Sequence, residues 1–222
     1  MKNYYVMEAS SNVAEYIRIK DFPEKIKLAC SLSEFQYIDR SILYLELDEN
    51  SGNVCQDIIY SEGVLLISEK VKNFFDSLKI DYLFYKKTVI EQSETGREEF
   101  YWLTVPFRID CLDFEESEID TVLESADKIV IDDDKTGRFD IFKLGGVTNL
   151  EIILTEKLAD EMKKQATEQN LPIMAEYGDS LKFGIGGFAI KIANTEYDLE
   201  AVKAELEKLN KTSGTEATTQ AQ

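Results

Sequence analysis

A chain of 222 residues with 43 acidic against 25 basic side chains has a formal charge of −18. That charge repels phosphate backbones and anionic membranes; it either favours a basic protein partner or, as the simpler reading, only maintains solubility. Its 44% hydrophobic and 11% aromatic content is enough for a packed core and excludes wholesale disorder, while the absence of histidine removes the commonest general base and most zinc sites.

The length fits one large domain, or one domain with a smaller lobe. Residues 1–60 read as an N-terminal lobe or an extension of the same sheet, 61–210 as the main α+β domain, and 211–222 as a small polar tail expected to be disordered. Cys30, Cys55 and Cys111 are too few and too scattered for a disulfide framework, and their odd count points to a reducing compartment. The N-terminus has no apolar run fit for a signal peptide, and no stretch approaches the ~20 apolar residues of a membrane span. The expected location is the cytoplasm.

In chain order, "KNYYVME" predicts an opening strand, "FPEKIKLACSL" is open between a short helix and irregular structure, and "SILYLELDENSGNV" predicts a strand running into a turn. "VLLISEKVKNFFDSLK" predicts a buried strand, a Ser68 cap and a helix whose apolar face is Val71, Phe74, Phe75 and Leu78. "IDYLFYKKTVI" and "FYWLTVPFRI" predict a hairpin across a charged loop. Its second strand sets Tyr101, Leu103, Val105, Phe107 and Ile109 on one face, with Pro106 marking an edge strand or a bulge.

"DKIVIDDDKTGRFDIFKL" reads as a further hairpin turning at 133–137. "IILTEKLADEM" then repeats the earlier pattern, with Thr155 as cap and Leu158, Ala159, Met162 and Ala166 as the apolar stripe. The likeness of "LLISEKV" to "IILTEKL" raises an internal duplication, against which two independent uses of one strand–cap–helix solution stand as the simpler reading. Strands are expected at "IMAEYG" and "SLKFGIGGFAIKIAN", and a last helix at 196–210 with a seam of Leu199, Val202, Leu206 and Leu209. Strands outnumber helices without β–α alternation, so the fold class is α+β: a mostly antiparallel sheet with two or three packed helices.

The run from Asp110 to Glu118 is the main chemical candidate. Asp110 and Asp113 could organise a turn through their carboxylates, with Glu115, Glu116 and Glu118 solvated, or the cluster could face a protein partner. Its spacing permits a Mg²⁺ or Ca²⁺ site without specifying one. "DDDKTG" opens like a calcium loop but has Lys143 where the closing Glu is required. "GIGGF" lacks the G-K-[ST] ending of a phosphate loop. Cys111, beside Asp110 and Asp113, has its thiolate disfavoured. Trp102 reads as packing, although an exposed Trp suits an interface hot spot. No residues assemble into a catalytic set.

The order of segments from 64 to about 177 resembles a bacterial family of immunity proteins of polymorphic toxin systems, first catalogued as a domain of unknown function. The similar features are the Ser-capped helix, a strand leading into D-x-x-D (Asp110, Asp113) with Ser117 nearby, and the Ile141–Phe142 strand before a second Ser/Thr-capped helix. The resemblance implies a cytoplasmic protein that binds and inactivates a cognate toxin domain, with no cofactor and no catalytic residues. If the toxin is a nuclease its cleft is basic, and an acidic inhibitor would reach it quickly. Asp110, Asp113, Glu115, Glu116, Glu118 and Trp102 are then the candidate partner-binding residues. The alternatives from other classes are a carboxylate-based metal-dependent enzyme centred on Asp110 and Asp113, and a scaffold protein using the 196–210 seam.

Overall fold

The computed structural model describes residues 3–9, 15–92, 95–148, 151–168, 181–183 and 187–192. In chain order it has β1 (Tyr4–Ala9), α1 (Glu24–Ser31), a 3-10 turn (Phe35–Tyr37), β2 (Leu43–Glu46), β3 (Ile58–Ser61), β4 (Val64–Ile67), α2 (Glu69–Ser77), β5 (Phe84–Gln92) and β6 (Arg97–Val105). Then follow β7 (Arg108–Ile109), β8 (Glu118–Asp120), β9 (Ser125–Lys128), α3 (Asp133–Thr136), β10 (Ile141–Leu144), β11 (Ile152–Thr155), α4 (Glu156–Glu168), β12 (Leu181–Phe183) and β13 (Gly187–Ile192). The fold is α+β, as the pattern of strands and helices predicts. The expected helix at 196–210 and the "IMAEYG" strand lie outside the described residues.

Two sheets carry the architecture. One runs β12-β13-β1-β11-β10-β7, the other β2-β5-β6-β4-β3, and β8 and β9 form a separate hairpin. All pairings between these strands are antiparallel except β7 with β10 and β2 with β5. Strand periodicity explains why β4 and β10 are apolar on nearly every residue: each is covered on both faces. Leu65 and Ile67 join the central core with Met7, Ile141, Ile152 and Leu154 from the other sheet, while Val64 and Leu66 turn to a second core closed by Ile26, Ala29 and Cys30 of α1. Phe142, Leu144 and Ile153 face a third core with Cys111, Leu112 and Ala126.

Helices α2 and α4 both feed the central core. Ser68 accepts a hydrogen bond from the Val71 amide at 3.3 Å and Thr155 from the Leu158 amide at 3.4 Å, so both expected caps are made. Val71, Phe74 and Phe75, and Leu158 and Met162, then deliver the apolar stripes. The segment left open, "FPEKIKLACSL", folds as α1 behind Pro23.

Two expectations are corrected. The single strand expected through Pro106 is two: β6, which lies between β5 and β4, ends at Val105, and the chain resumes as β7, an edge strand of the other sheet. Proline offers no ladder N–H, so the chain leaves the first sheet there. The Phe107 carbonyl accepts from the Lys143 amide at 2.7 Å, which starts β7 in the other sheet. Tyr101, Leu103 and Val105 face one core as expected, but Phe107 and Ile109 lie past the break.

The stretch at 133–137 is a one-turn helix, α3, and not a hairpin turn. Asp132 accepts from the Asp134 amide at 3.1 Å and pairs with Lys135 at 3.0 Å, and Gly137 at φ +57° ends the turn. Three consecutive aspartates thus act as helix-start residues, with charge suited to the N-terminal dipole.

Lys143 is buried on the central-core side of β10. Its ammonium donates to the carbonyls of Cys30 at 2.6 Å and Gly63 at 3.0 Å, tying the end of α1 and the β3–β4 turn to the opposite sheet. Burial pulls its pKa down to about 8.

Candidate functional site

Pro106 and β7 decide where the acidic run lies. Once β7 is parked beside β10, residues 110–124 must cross the end of the six-stranded sheet as a loop and a short hairpin. Cys111 and Leu112 anchor the crossing in the third core, and Leu112 bridges Ile131. Burial pushes the Cys111 thiol up to about 12, with Asp110 adding to the effect, so it is an inert core residue.

Two aspartates build the loop. Asp113 accepts from the amides of Glu115 at 3.0 Å and Glu116 at 3.2 Å, closing a turn that Ser117 stitches to the Val130 amide at 3.0 Å. Asp120 accepts from the amides of Val122 at 2.8 Å and Leu123 at 3.0 Å. Those amides hold the Asp120 carboxyl below its ordinary pKa. The expected turn-forming role therefore falls to Asp113. Asp110 packs elsewhere, against the backbone of Gly145.

That packing depends on the Gly145–Gly146 pair after β10. A Cβ at Gly145 would collide with the Asp110 carboxylate and come within 2.9 Å of the Ile109 carbonyl oxygen. Gly146 sits at φ +90°, and a Cβ there would come within 3.1 Å of the Phe114 ring. Only glycine lets the loop close down so far. Thr148 fixes the far side, its amide donating to the Glu124 carbonyl at 2.7 Å.

The loop presents two kinds of side chain. Phe114, Val122 and Leu123 are 59%, 87% and 68% exposed, and each sits on an aspartate-closed turn. Around them Glu115, Glu116, Glu118 and Glu124 are exposed, and no basic residue occurs between Arg108 and Lys128. Beside the loop opens a cleft of about 440 Å³, with Leu32, Arg108, Asp110, Glu124, Gly146 and Thr148 among its walls. Large apolar groups held out on a fixed backbone, ringed by charge of one sign, have the anatomy of a protein-contact surface. Among the described residues no group of three or more His, Cys, Asp or Glu converges as metal ligands would.

Trp102 lies apart from this loop. It is half-buried on β6 at the margin of the central core, and its indole N–H donates to Glu69 at the start of α2. The ammonium groups of Lys72 and Lys87 lie 5.2 Å and 5.7 Å from its ring centre. None of its described contacts comes from the 110–118 run. Sequence reasoning missed Phe114, Val122, Leu123, Gly145 and Gly146. The available signal was an aspartate just ahead of each exposed apolar group, and a Gly-Gly pair following a strand.

The fold is that of an α+β protein in which an acidic loop with exposed apolar side chains lies beside a two-sheet body. No helix among the described residues is long and apolar enough to cross a membrane. The model of the immunity protein family Imm11 matches residues 7–172, and the chain belongs to that family. Its general role is therefore neutralisation of a toxin partner. No curated protein matches the chain.

Proposed function

We propose that the protein is a stoichiometric inhibitor that binds a cognate toxin domain of a polymorphic toxin system, in the cytoplasm of the cell it protects. The observation that carries this reading is the loop at 110–124, where apolar side chains stand on capped turns within a run of carboxylates. Apolar anchors supply the binding energy at the centre of an interface, and surrounding charges set encounter rate and specificity. In this reading Phe114, Val122 and Leu123 are the anchors. Asp110, Asp113, Glu115, Glu116 and Glu118 supply the acidic field, with Asp113 also shaping the turn. The charge of −18 favours a toxin with a basic cleft, such as a nuclease, by electrostatic steering. No residue is given a catalytic role and no cofactor is invoked.

The test is co-expression with the toxin domain encoded beside the gene, scored for growth and for co-elution of the two chains. Rescue together with a stable one-to-one complex is expected. Rescue without a complex contradicts inhibition by binding, and absence of both contradicts the pairing itself.

A further inference from the structure

The half of the five-stranded sheet beyond α2 carries an ordered pattern of aromatic and acidic side chains. Register sets Tyr44 on β2 opposite Val89 on β5, and Val89 opposite Phe100 on β6. The next row on the same face is Glu46 opposite Glu91, and Glu91 opposite Glu98. Residues two apart on a strand share a face at a spacing of about 7 Å, so each outer aromatic has a glutamate within reach on its own strand. Phe100 is 68% exposed and Tyr44 59%.

Both features call for a cation. Like charges directly opposite one another destabilise a sheet. Glu46 is relieved by Lys20 at 3.0 Å, but among the described residues no cation pairs with Glu91 or Glu98. Exposed aromatic faces bind cations through the ring quadrupole. The neighbouring row already does this internally, with Lys72 and Lys87 over Trp102. Arginine meets both demands at once, because its planar guanidinium stacks on a ring while its N–H fork bonds a carboxylate. A nucleic acid would also stack on the rings, but the glutamate row repels its phosphates.

We propose that the β2–β5–β6 face docks an arginine-bearing segment of a protein partner, the guanidinium lying on Phe100 or Tyr44 and bonding Glu98, Glu91 or Glu46. This surface is distinct from the 110–124 loop, and the proposal does not depend on the role given to that loop.

Trp102 is the only tryptophan of the chain and borders the face, so its fluorescence reports binding. The full-length protein is titrated with octa-arginine and octa-lysine peptides at ~0.15 M salt. The arginine peptide is expected to bind roughly tenfold more tightly. Tyr44→Ser/Phe100→Ser removes solvent-exposed rings, so folding is retained, and the arginine preference falls to near unity. Glu91→Gln/Glu98→Gln weakens arginine binding with the rings intact. Charge reversal of Glu115, Glu116 and Glu118 leaves the preference in place. Equal affinity for the two peptides, a preference that survives loss of both rings, or a preference abolished by the loop variant would overturn the proposal. Toxin binding measured on the same variants reports separately on the 110–124 loop.

Discussion

Asp57 and Asp140 hold the same position in two units of like build. Asp57 precedes β3 and accepts from the Ser68 hydroxyl at 2.7 Å and the Lys70 ammonium at 3.3 Å. Asp140 precedes β10 and accepts from the Thr155 hydroxyl at 3.0 Å and the Lys157 ammonium at 2.9 Å. The backbone agrees, since the amides of Ser68 and Thr155 donate to the carbonyls of Asp57 and Asp140, both at 2.9 Å. Each unit is an antiparallel hairpin followed by a capped helix, and both helices enter the central core. The aspartate fixes the cap, the cap starts the helix, and the helix stripe joins the sheets.

Replacing either aspartate with alanine removes the acceptor that orients the capping hydroxyl. Asp57→Ala and Asp140→Ala are each expected to cost about 1 kcal/mol or more, in line with loss of a cap and a charge-assisted hydrogen bond. Urea unfolding checks this: the midpoint falls while the slope stays unchanged. A midpoint equal to wild type for both variants contradicts the shared device.

Much of this was legible in the sequence, and the reason for the gap is specific. Strand, cap and stripe were readable at Ser68 and Thr155 because alternation, a hydroxyl and 3.6-residue periodicity coincide there. The equivalence of Asp57 and Asp140 was hidden because β3 and β4 are joined by Glu62 and Gly63 alone, whereas β10 ends at Leu144 and β11 begins only at Ile152. That longer connection shifts the flanks out of alignment. The sheet change at Pro106 was hidden because a strand pattern carries no information about which strand its end will join. Phe114, Val122 and Leu123 looked like ordinary apolar residues, since exposure depends on a sheet end that is assembled from distant segments.

Lys143 gives stability a defined pH dependence. Its folded pKa is about 8, below the ordinary 10.5. Between these values the unfolded chain holds a proton that the folded chain has released, so this group's contribution rises with pH and is lost as pH falls toward 8. The buried thiols of Cys30 and Cys111, raised to about 11 and about 12, act in the opposite direction above their ordinary value of 9.0. Between pH 8 and 9 the stability difference between wild type and Lys143→Met should therefore shift by about 1 kcal/mol in favour of wild type. Urea unfolding of both proteins across that range measures it; parallel curves contradict the assignment.

Gly145 and Gly146 shape the 110–124 loop from below. Gly145→Ala forces the Asp110 carboxylate and the Ile109 backbone away and is expected to cost about 1–3 kcal/mol. Gly146→Ala places a side chain at positive φ beneath the Phe114 ring, for about 1–2 kcal/mol. Both variants should also weaken toxin binding more than their loss of stability explains, measured by calorimetry at a temperature where each remains folded.

Phe114→Ser, Val122→Ser and Leu123→Ser test the anchors. All three side chains are exposed, so melting temperatures should move little. Affinity for the toxin domain should fall by about tenfold or more for at least one of them, as expected of an apolar anchor at an interface centre. Unchanged affinity in all three removes the anchors from the interface.

In the proposed function the acidic face around residues 110–118 binds the toxin. The most direct measurement is the affinity of the wild type and of Glu115→Lys/Glu116→Lys/Glu118→Lys for the toxin domain across a range of salt concentrations. At least about a tenfold loss of affinity for the charge-reversed protein is expected, with a flatter dependence on salt and an unchanged melting temperature. Equal affinity with the same salt dependence would contradict it.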